Sequence, residues 1–295
     1  MKQTFKYNKE LHMVIDFHTH TYPTNLAPKI VGQLSGPSHV QAYTDATNDG
    51  LLDSCAKNGI SKCVLLPVVT NPAHTESINQ LAIETNQSNG HLISFGGIHP
   101  DNVDYKTIIS KLSAKGVPGI KLHPVFQKTN IDDIKYMKII DCACEYGLIV
   151  SLHAGYDIND SSALYSSVSH IKNLLKYVRP EKMILAHMGG HLCWDEAEEM
   201  LAKYLSNTSG KASLYLDTAF SLPSPISSQN IDYDFLSNEQ FLRIVRLIGS
   251  ESVLFGTDSP WTDQGASIEA IMNSGLTKKE ISQILYENAK NLLNL

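Results

Sequence analysis

The sequence predicts an α/β fold, a (β/α)8 TIM barrel formed by one domain over residues 1–295. Short β-type segments alternate with helical patterns along the whole chain, and turn residues separate them. Intervals of roughly 25 to 50 residues between strands accommodate a loop and a returning helix, the right-handed crossover that builds parallel sheets. The sequence contains no linker or low-complexity tract that would divide the pattern.

Eight segments have the strand pattern, and each ends before a polar loop. They cover residues 14–20, 63–69, 92–99, 119–123, 148–153, 183–187, 213–218 and 253–258. The helical pattern is clearest over 131–146, where Ile134, Met137 and Ile140 recur at helical spacing and Gly147 is placed to end the helix. An open doubly wound sheet is the alternative. Such sheets usually carry a glycine-rich turn after the first strand, and none follows residues 14–20, so a closed barrel is favoured.

The composition indicates an ordinary globular protein, since 42% of the residues are hydrophobic and 18% are charged. The formal net charge is -6 and no dense Lys/Arg cluster occurs, so we expect a small-molecule substrate rather than nucleic acid or a membrane surface. The sequence does not decide whether the chain forms a homo-oligomer. No apolar run approaches the ~20 residues that span a bilayer. Residues 1–10 carry lysines but precede no apolar segment, which favours cytoplasmic residence over a secretory signal.

Histidines concentrate at the ends of the predicted strands. Six of the twelve lie there, on five of the eight strands: His18, His20, His99, His123, His153 and His187. The C-terminal ends of barrel strands meet on one face, so these side chains come together however distant they are in sequence. His18 and His20 are two residues apart and point to the same side of their strand, where two imidazoles can bind one cation. The alternative for this pair alone is a structural role.

The other strand ends complete a recurring pattern. They read Ser-Leu-His-Ala-Gly over 151–155, Ala-His-Met-Gly-Gly over 186–190 and Gly-Thr-Asp-Ser-Pro over 256–260. With the His-x-His segment, this ordered set resembles the amidohydrolase superfamily, specifically its amidohydrolase-2 group of barrel hydrolases and decarboxylases. The likeness runs from residue 16 to residue 260.

This resemblance implies a metal site at the C-terminal ends of the strands. The metal would be divalent, commonly zinc, and its implied ligands are His18, His20, His153 and Asp258. Neutral imidazoles with one carboxylate suit Zn2+ and leave a coordination position for water, whose pKa can fall toward ~7. Whether one or two ions bind, and whether another divalent metal replaces zinc, stays open.

Asp258 and His187 are the candidate catalytic residues. Asp258 is either a structural carboxylate that caps the neighbouring helix or a metal ligand that also takes a proton from metal-bound water. His187 is a core histidine, a ligand to a second metal or a group that polarises the substrate, and the resemblance implies one of the last two. Asp16, two residues before His18, is expected on the same face, where it would orient the ligands.

Lys121, near the end of the fourth predicted strand, has two interpretations. Binuclear members of the superfamily have a carboxylated lysine, or in some branches a glutamate, near this position, so Lys121 and His187 would hold a second metal. Otherwise Lys121 is a cation at its ordinary pKa of ~10.4, and it pairs with Asp258 or with an anionic substrate.

Four further side chains are candidates for substrate binding. His99 and His123 each precede a proline at a strand exit, which places them at the rim of the pocket in structural or substrate-binding roles. Tyr156 and Trp261 follow strand ends and could line a substrate cavity. His191 is placed to reach the pocket from the sixth strand's loop.

The residues together predict hydrolysis of an amide, ester or lactone bond of a small molecule, with Asp258 moving the proton and His187 helping to stabilise the oxyanion. The resemblance equally permits non-oxidative decarboxylation of a small carboxylic acid. Residues 97–100, Gly-Ile-His-Pro, are similar to TatD-type phosphodiesterases, although the glutamate expected on their fourth strand is missing. A closed ligand shell would instead indicate a non-catalytic, metal-stabilised binding protein. The long connections 22–48 and 221–238 are candidate lids.

Overall fold

A computed structural model describes residues 13–38, 40–88, 90–160, 162–207, 214–222 and 235–295. Its strands are β1 (Val14–Thr19), β2 (Ile60–Leu65), β3 (Leu92–Ser94), β4 (Gly96–Gly97), β5 (Gly119–Leu122), β6 (Ile149–Leu152), β7 (Met183–Leu185), β8 (Leu214–Asp217) and β9 (Val253–Leu254). All neighbouring strands pair in parallel, in the orders β1-β2-β3 and β4-β5-β6-β7-β8-β9. The predicted order of strands around a barrel is therefore confirmed.

The two sheets join at both ends. The predicted strand 92–99 is interrupted at Phe95, whose backbone N–H donates to the carbonyl of Leu65 at 2.9 Å and so continues the pairing with β2. At the other junction, the N–H of Phe17 donates to Phe255 at 2.7 Å and the N–H of Asp258 donates to His18 at 2.8 Å. The chain after β9 thus runs beside β1, and the eight-stranded barrel returns to its first strand.

Helices follow the strands as the crossover pattern requires. They are α1 (Ala27–Ser38), α2 (Asn48–Asn58), α3 (Thr75–Ser88), α4 (Tyr105–Ala114), α5 (Pro124–Gln127), α6 (Ile134–Glu145), α7 (Val168–Tyr177), α8 (Trp194–Asn207), α9 (Asn238–Ile248), α10 (Gln264–Met272), α11 (Lys278–Ser282) and α12 (Asn288–Leu293). Short turns of other helix types lie at Pro72–His74, His187–Gly189, Ser250–Ser252 and Gln283–Glu287. Across the described ranges, no helix combines the length and apolar character needed to cross a membrane.

Helix α6 shows how local sequence sets these bounds. The Asp133 side chain accepts a hydrogen bond from the N–H of Lys135 at 2.8 Å and caps the helix start. Its buried face carries Tyr136 and Ile139 at helical spacing. Gly147 then adopts a φ of 68°, a left-handed conformation that a glycine takes without steric cost, so the chain turns toward β6.

Two apolar clusters hold the strands in place. The larger packs strand residues such as Val150 and Leu216 against helices such as α6 and α9. The smaller contains Phe17 and Phe95, whose rings meet edge-on with their centroids 5.8 Å apart. Because the strands are fixed by this packing, the residues that follow their C-terminal ends are fixed as well.

Candidate active site

A cavity of about 790 Å³ opens at the C-terminal ends of the strands. Its lining includes histidines and aspartates at the strand ends and in the loops that follow them: His18, His20, His123, His153, Asp157, His187, His191 and Asp258. Apolar side chains of α1 and the loop before it, such as Leu26 and Ile30, cover part of it, as do Phe220 and Trp261. The cavity volume falls in the range typical of small-molecule sites.

His18 forms a hydrogen bond with a carboxylate that the sequence analysis did not identify. Its Nδ1 lies 2.9 Å from Oδ2 of Asp217, the last residue of β8, and both side chains are buried. Burial raises the pKa of Asp217, but His18, His187 and Lys121 together outweigh burial and lower it. Asp217 is therefore an anion that accepts the Nδ1 proton of His18. The Nε2 lone pair of His18 is then free to bind a cation.

Asp258 lies beside His18 of β1 and His20, which follows β1. Its Oδ1 is 3.0 Å from Nε2 of His20 and 3.6 Å from Nε2 of His18. Burial favours the protonated acid, but His18 and His20 outweigh it and lower the pKa of Asp258 well below its usual range. Asp258 also has a φ of 65°, a strained conformation that costs on the order of 1–3 kcal/mol in a residue other than glycine.

His187 is fixed in a similarly strained conformation. Its φ is 57°, and its N–H donates to Oδ1 of Asp217 at 3.0 Å while its carbonyl accepts from Nε1 of Trp194 at 3.0 Å. The ring nitrogen Nδ1 lies 2.8 Å from the carbonyl of Ala219 and so carries the proton. Burial lowers the pKa of His187, so the ring is neutral and presents an Nε2 lone pair. Nε2 lies 3.0 Å from Nδ1 of His153.

These donors fit a divalent cation. The ligand atoms of His18, His187 and Asp258 lie within 4.8 Å of one another. Two imidazole nitrogens 3.0 Å apart, from His153 and His187, require a proton or a cation between them. Because Asp217 and Ala219 accept the outer ring protons, the inward nitrogens are the ones left to bind a metal.

Lys121 is buried within this group. Its Nζ lies 3.2 Å from Nε2 of His18, and burial lowers its pKa to about 8. In the part of the chain that the structure describes, no ion pair within 4 Å joins Lys121 to Asp258, which was one of the sequence-based alternatives. The amine instead competes for the lone pair of His18.

Asp16 differs from the prediction. It accepts hydrogen bonds from the N–H of Thr257 at 3.0 Å, from Oγ1 of Thr257 at 2.5 Å and from Nε2 of Gln264 at 2.8 Å. The prediction that Asp16 shares a face with His18 is wrong, because the register of β1 shifts between Asp16 and Thr19 and breaks the simple alternation. Asp16 fixes the backbone before Asp258 rather than an imidazole ring.

His123 is held between two rings. It stacks on Phe126 and on His153, with both ring centroids 4.1 Å away. Its backbone N–H donates to Oε1 of Gln127 at 3.0 Å, and Nε2 of Gln127 donates in turn to the carbonyls that follow β2 and β4, at 2.9 and 2.7 Å. Burial holds the pKa of His123 well below its usual range. Gln127, like Asp217, was missed by the sequence analysis.

The remaining candidates divide between the cavity and its surroundings. Trp261 and His191 line the cavity, and His191 is buried with both ring nitrogens unpaired. His99 and Tyr156 are not among the lining residues. Nδ1 of His99 accepts from the N–H of Asp101 at 3.1 Å, so the structure gives His99 a local structural contact. Of the predicted lids, 22–48 contributes α1 to the cavity, whereas residues 223–234 of the second lie outside the described residues.

Comparisons with known proteins agree with this architecture. The family model described as amidohydrolase matches residues 15–295. No curated protein sequence matches the chain.

Solved structures share the fold at low identity. The 5-carboxyvanillate decarboxylase of Novosphingobium aromaticivorans, complexed with manganese, is 11% identical, with a TM-score of 0.70 over 98% of this chain and 97% of that chain. A 2,6-dihydroxybenzoate decarboxylase is 14% identical, with a TM-score of 0.69 over 97% and 100% of the two chains. A protein named as a candidate 2-pyrone-4,6-dicarboxylic acid hydrolase from Pseudomonas putida is 18% identical, with a TM-score of 0.65 over 96% and 98%.

Proposed function

As this chain belongs to the amidohydrolase family, we propose that it is a metal-dependent hydrolase that cleaves an amide, ester or lactone bond of a small molecule. The observation that supports the metal most directly is the orientation of His18. Its Nδ1 donates a hydrogen bond to Asp217, so its Nε2 faces Asp258 as an acceptor. Nδ1 of His187 donates to the carbonyl of Ala219, so His187 presents a second acceptor nitrogen to the same cavity.

We assign the metal ligands as His18, His20, His153 and Asp258, and we propose zinc as the ion. When bound, a divalent cation would polarise the carbonyl under attack and lower the pKa of a neighbouring water. Manganese, present in the carboxyvanillate decarboxylase, is the alternative ion. Lys121 and His187 would complete a second site only if Lys121 is carboxylated.

Asp258 is proposed to accept the proton of the attacking water and to return it to the leaving group. Its carboxylate lies within 4 Å of His18 and His20 and lines the cavity, so it is close both to two proposed ligands and to the space for the substrate. For His187 we propose a different role from the stabilisation of the oxyanion that the sequence predicted. Because its Nδ1 donates to Ala219, the neutral ring cannot donate from Nε2 to an oxyanion. We assign it to accepting a hydrogen bond from the attacking water.

Hydrolysis is the first candidate because Asp258 lines the cavity as a carboxylate that can accept a proton from an attacking water. The charge of the cavity does not decide between the candidates. The described lining residues include three aspartates, at 157, 160 and 258, and one lysine, Lys128. A divalent ion beside Asp258 would offset the remaining negative charge, so a neutral acyl compound and a carboxylate are both compatible with the cavity.

Decarboxylation is the second candidate, since two of the solved structures described above are named as decarboxylases of aromatic acids. The cavity wall also contains apolar and aromatic side chains, such as Phe126 and Trp261, that suit an aromatic ring.

One panel of assays separates the candidates. The protein is stripped with a chelator, reloaded with Zn2+ or Mn2+, and tested with neutral esters, lactones and amides, with aromatic carboxylic acids, and with bis(4-nitrophenyl) phosphate. We expect metal-dependent cleavage of a neutral acyl compound, abolished in Asp258→Asn and retained in Asp53→Asn, a control at an exposed position. Release of CO2 without acyl cleavage would replace hydrolysis by decarboxylation. Cleavage of the phosphodiester alone would identify a phosphodiesterase.

A further inference from the structure

One wall of the cavity is not used by the proposed chemistry. We call it the Asp157 wall; it consists of His123 after β5 and of Asp157 and Asn159 in the loop after β6, and all three residues line the cavity. None of them is among the proposed ligands of the metal. Their polar atoms therefore need another explanation.

Asp157 carries a buried carboxylate with few partners. The residue is 6% exposed, and its Oδ1 accepts from the N–H of Asn159 at 2.8 Å. Its Oδ2 lies 3.7 Å from Nε2 of His123, which is too long for a hydrogen bond. Over the described ranges, no lysine or arginine forms an ion pair with Asp157. Burial raises the pKa of Asp157, so its anion is costly without a cationic partner, and a cation from outside the chain would stabilise it.

Two further atoms of the wall are unpaired. Oδ1 of Asn159 and Nδ1 of His123 are buried and have no hydrogen-bond partner, and His123 is 6% exposed. The wall therefore offers a carboxylate oxygen and an amide oxygen, both of which accept hydrogen bonds, beside one imidazole nitrogen. An ammonium group has three N–H donors and a positive charge, which matches two acceptors of which one is an anion.

One residue of the wall, His123, is held firmly in place. His123 is enclosed between Phe126 and His153, and its backbone is held by Gln127, whose phenolic neighbour Tyr136 donates to the same Oε1 at 2.7 Å. A polar group that is already ordered loses little conformational entropy when it binds a ligand.

A second metal ion is a less suitable occupant. Ligand atoms of His123, His153 and Asp157 lie within 4.8 Å of one another. The two imidazole rings, however, are stacked with centroids 4.1 Å apart and an interplanar angle of 16°, so their lone pairs lie in two nearly parallel planes and do not converge on one ion. A tetrahedral metal site needs converging lone pairs.

We infer that the Asp157 wall binds an ammonium group of the substrate, which makes the substrate an amino-substituted amide, ester or lactone. The identity of the cleaved bond rests on the proposed function. The ammonium site is independent of it, because binding can be tested with compounds that contain no bond to cleave.

The test uses cyclohexylamine and cyclohexanol, two probes of similar size of which only the amine is charged, and the metal-loaded protein. Binding is measured by calorimetry for the wild type, Asp157→Asn, Asn159→Ala and Asp53→Asn. We expect the amine to bind more tightly than the alcohol by about tenfold or more, and both wall variants to lose about ten- to a hundredfold for the amine, as for charge-assisted hydrogen bonds. The exposed control should bind as the wild type does.

Equal binding of both probes, or amine binding unchanged in both wall variants, would overturn the inference. Metal analysis that finds a second ion, lost in Asp157→Asn, would assign the wall to a metal instead. Asn159→Ala keeps the carboxylate and so tests the wall even if Asp157→Asn fails to fold. Amine binding without any acyl cleavage would keep the ammonium site and reject hydrolysis, so the two failures are distinguishable.

Discussion

Asp217→Asn changes one oxygen to an amide nitrogen and tests how His18 is prepared for a metal. Oδ1 of Asp217 accepts from the N–H groups of His187 and Ala219 at 3.0 and 3.2 Å, and Oδ2 faces Nδ1 of His18. An asparagine can keep its single oxygen on the two backbone N–H groups. Its NH2 then points at Nδ1 of His18, so two hydrogen-bond donors, the NH2 and the Nδ1–H, would face each other.

The imidazole of His18 relieves this conflict by moving its proton. Nδ1 becomes the acceptor of the asparagine NH2, and Nε2 takes the proton. Nε2 is the nitrogen that faces Lys121 and Asp258, so the variant places a proton where the wild type has a lone pair. Loss of such a carboxylate partner typically weakens metal binding by about 10- to 100-fold, equivalent to about 1.4–2.7 kcal/mol.

The assay is a competition between the metal-free protein and a chromophoric chelator for Zn2+. We expect Asp217→Asn to bind Zn2+ about 10- to 100-fold more weakly than the wild type, and Asp53→Asn to match the wild type. The thermal melt of the metal-free variant checks that the fold persists. An Asp217→Asn affinity equal to that of the wild type would refute the assignment of His18 Nε2 as a ligand.

Three other changes test the surroundings of the site. In the metal-free protein, burial raises the pKa of Asp16 to about 7, so the folded state holds a proton that the unfolded state has lost above pH ~4. The free energy of unfolding should therefore fall as pH rises toward 7, by up to about 1.4 kcal/mol per pH unit, and this dependence should vanish in Asp16→Asn. Urea titrations at pH 5 and 7 measure it, and the same pH dependence in the wild type and in Asp16→Asn would contradict it. Asp258→Asn should lower kcat by about 10²- to 10⁴-fold, and a kcat near the wild-type value in metal-loaded protein would remove Asp258 from proton transfer. Lys121→Met removes the amine beside His18 and should tighten Zn2+ binding in the chelator assay. If the variant instead binds one ion fewer than the wild type, and bicarbonate stimulates the activity of the wild type, Lys121 is a carboxylated lysine.

The barrel could be predicted because its signal is repeated along the chain. Each strand is a short apolar segment, and the histidines mark where several strands end. The interruption at Phe95 could not be predicted, since it depends on how two neighbouring strands meet and not on the composition of residues 92–99. The register shift in β1 could not be predicted for the same reason, and it changed the expected orientation of Asp16 relative to His18.

The sequence could predict which histidines and aspartates gather at the candidate site. It could not predict the hydrogen bonds that orient their side chains. Asp217 is the next-to-last residue of the predicted strand 213–218, and His153 and His187 end theirs, so a carboxylate near that strand end was an available signal. Gln127 and Asp157 lie in a short helix and a loop, where no periodicity relates a side chain to the barrel axis. Hydrogen bonds such as that between Nδ1 of His187 and Ala219 depend on coordinates alone, and they decide which nitrogen is free.

The most direct test of the central claim is a crystal structure of the zinc-loaded protein with anomalous scattering measured at the zinc edge. We predict an anomalous peak bounded by Nε2 of His18, by His20 and by Asp258, with His153 completing the ligands and a coordination position open to the cavity. A peak bound only by His123 and Asp157, or no peak in protein that retains full activity, would contradict it.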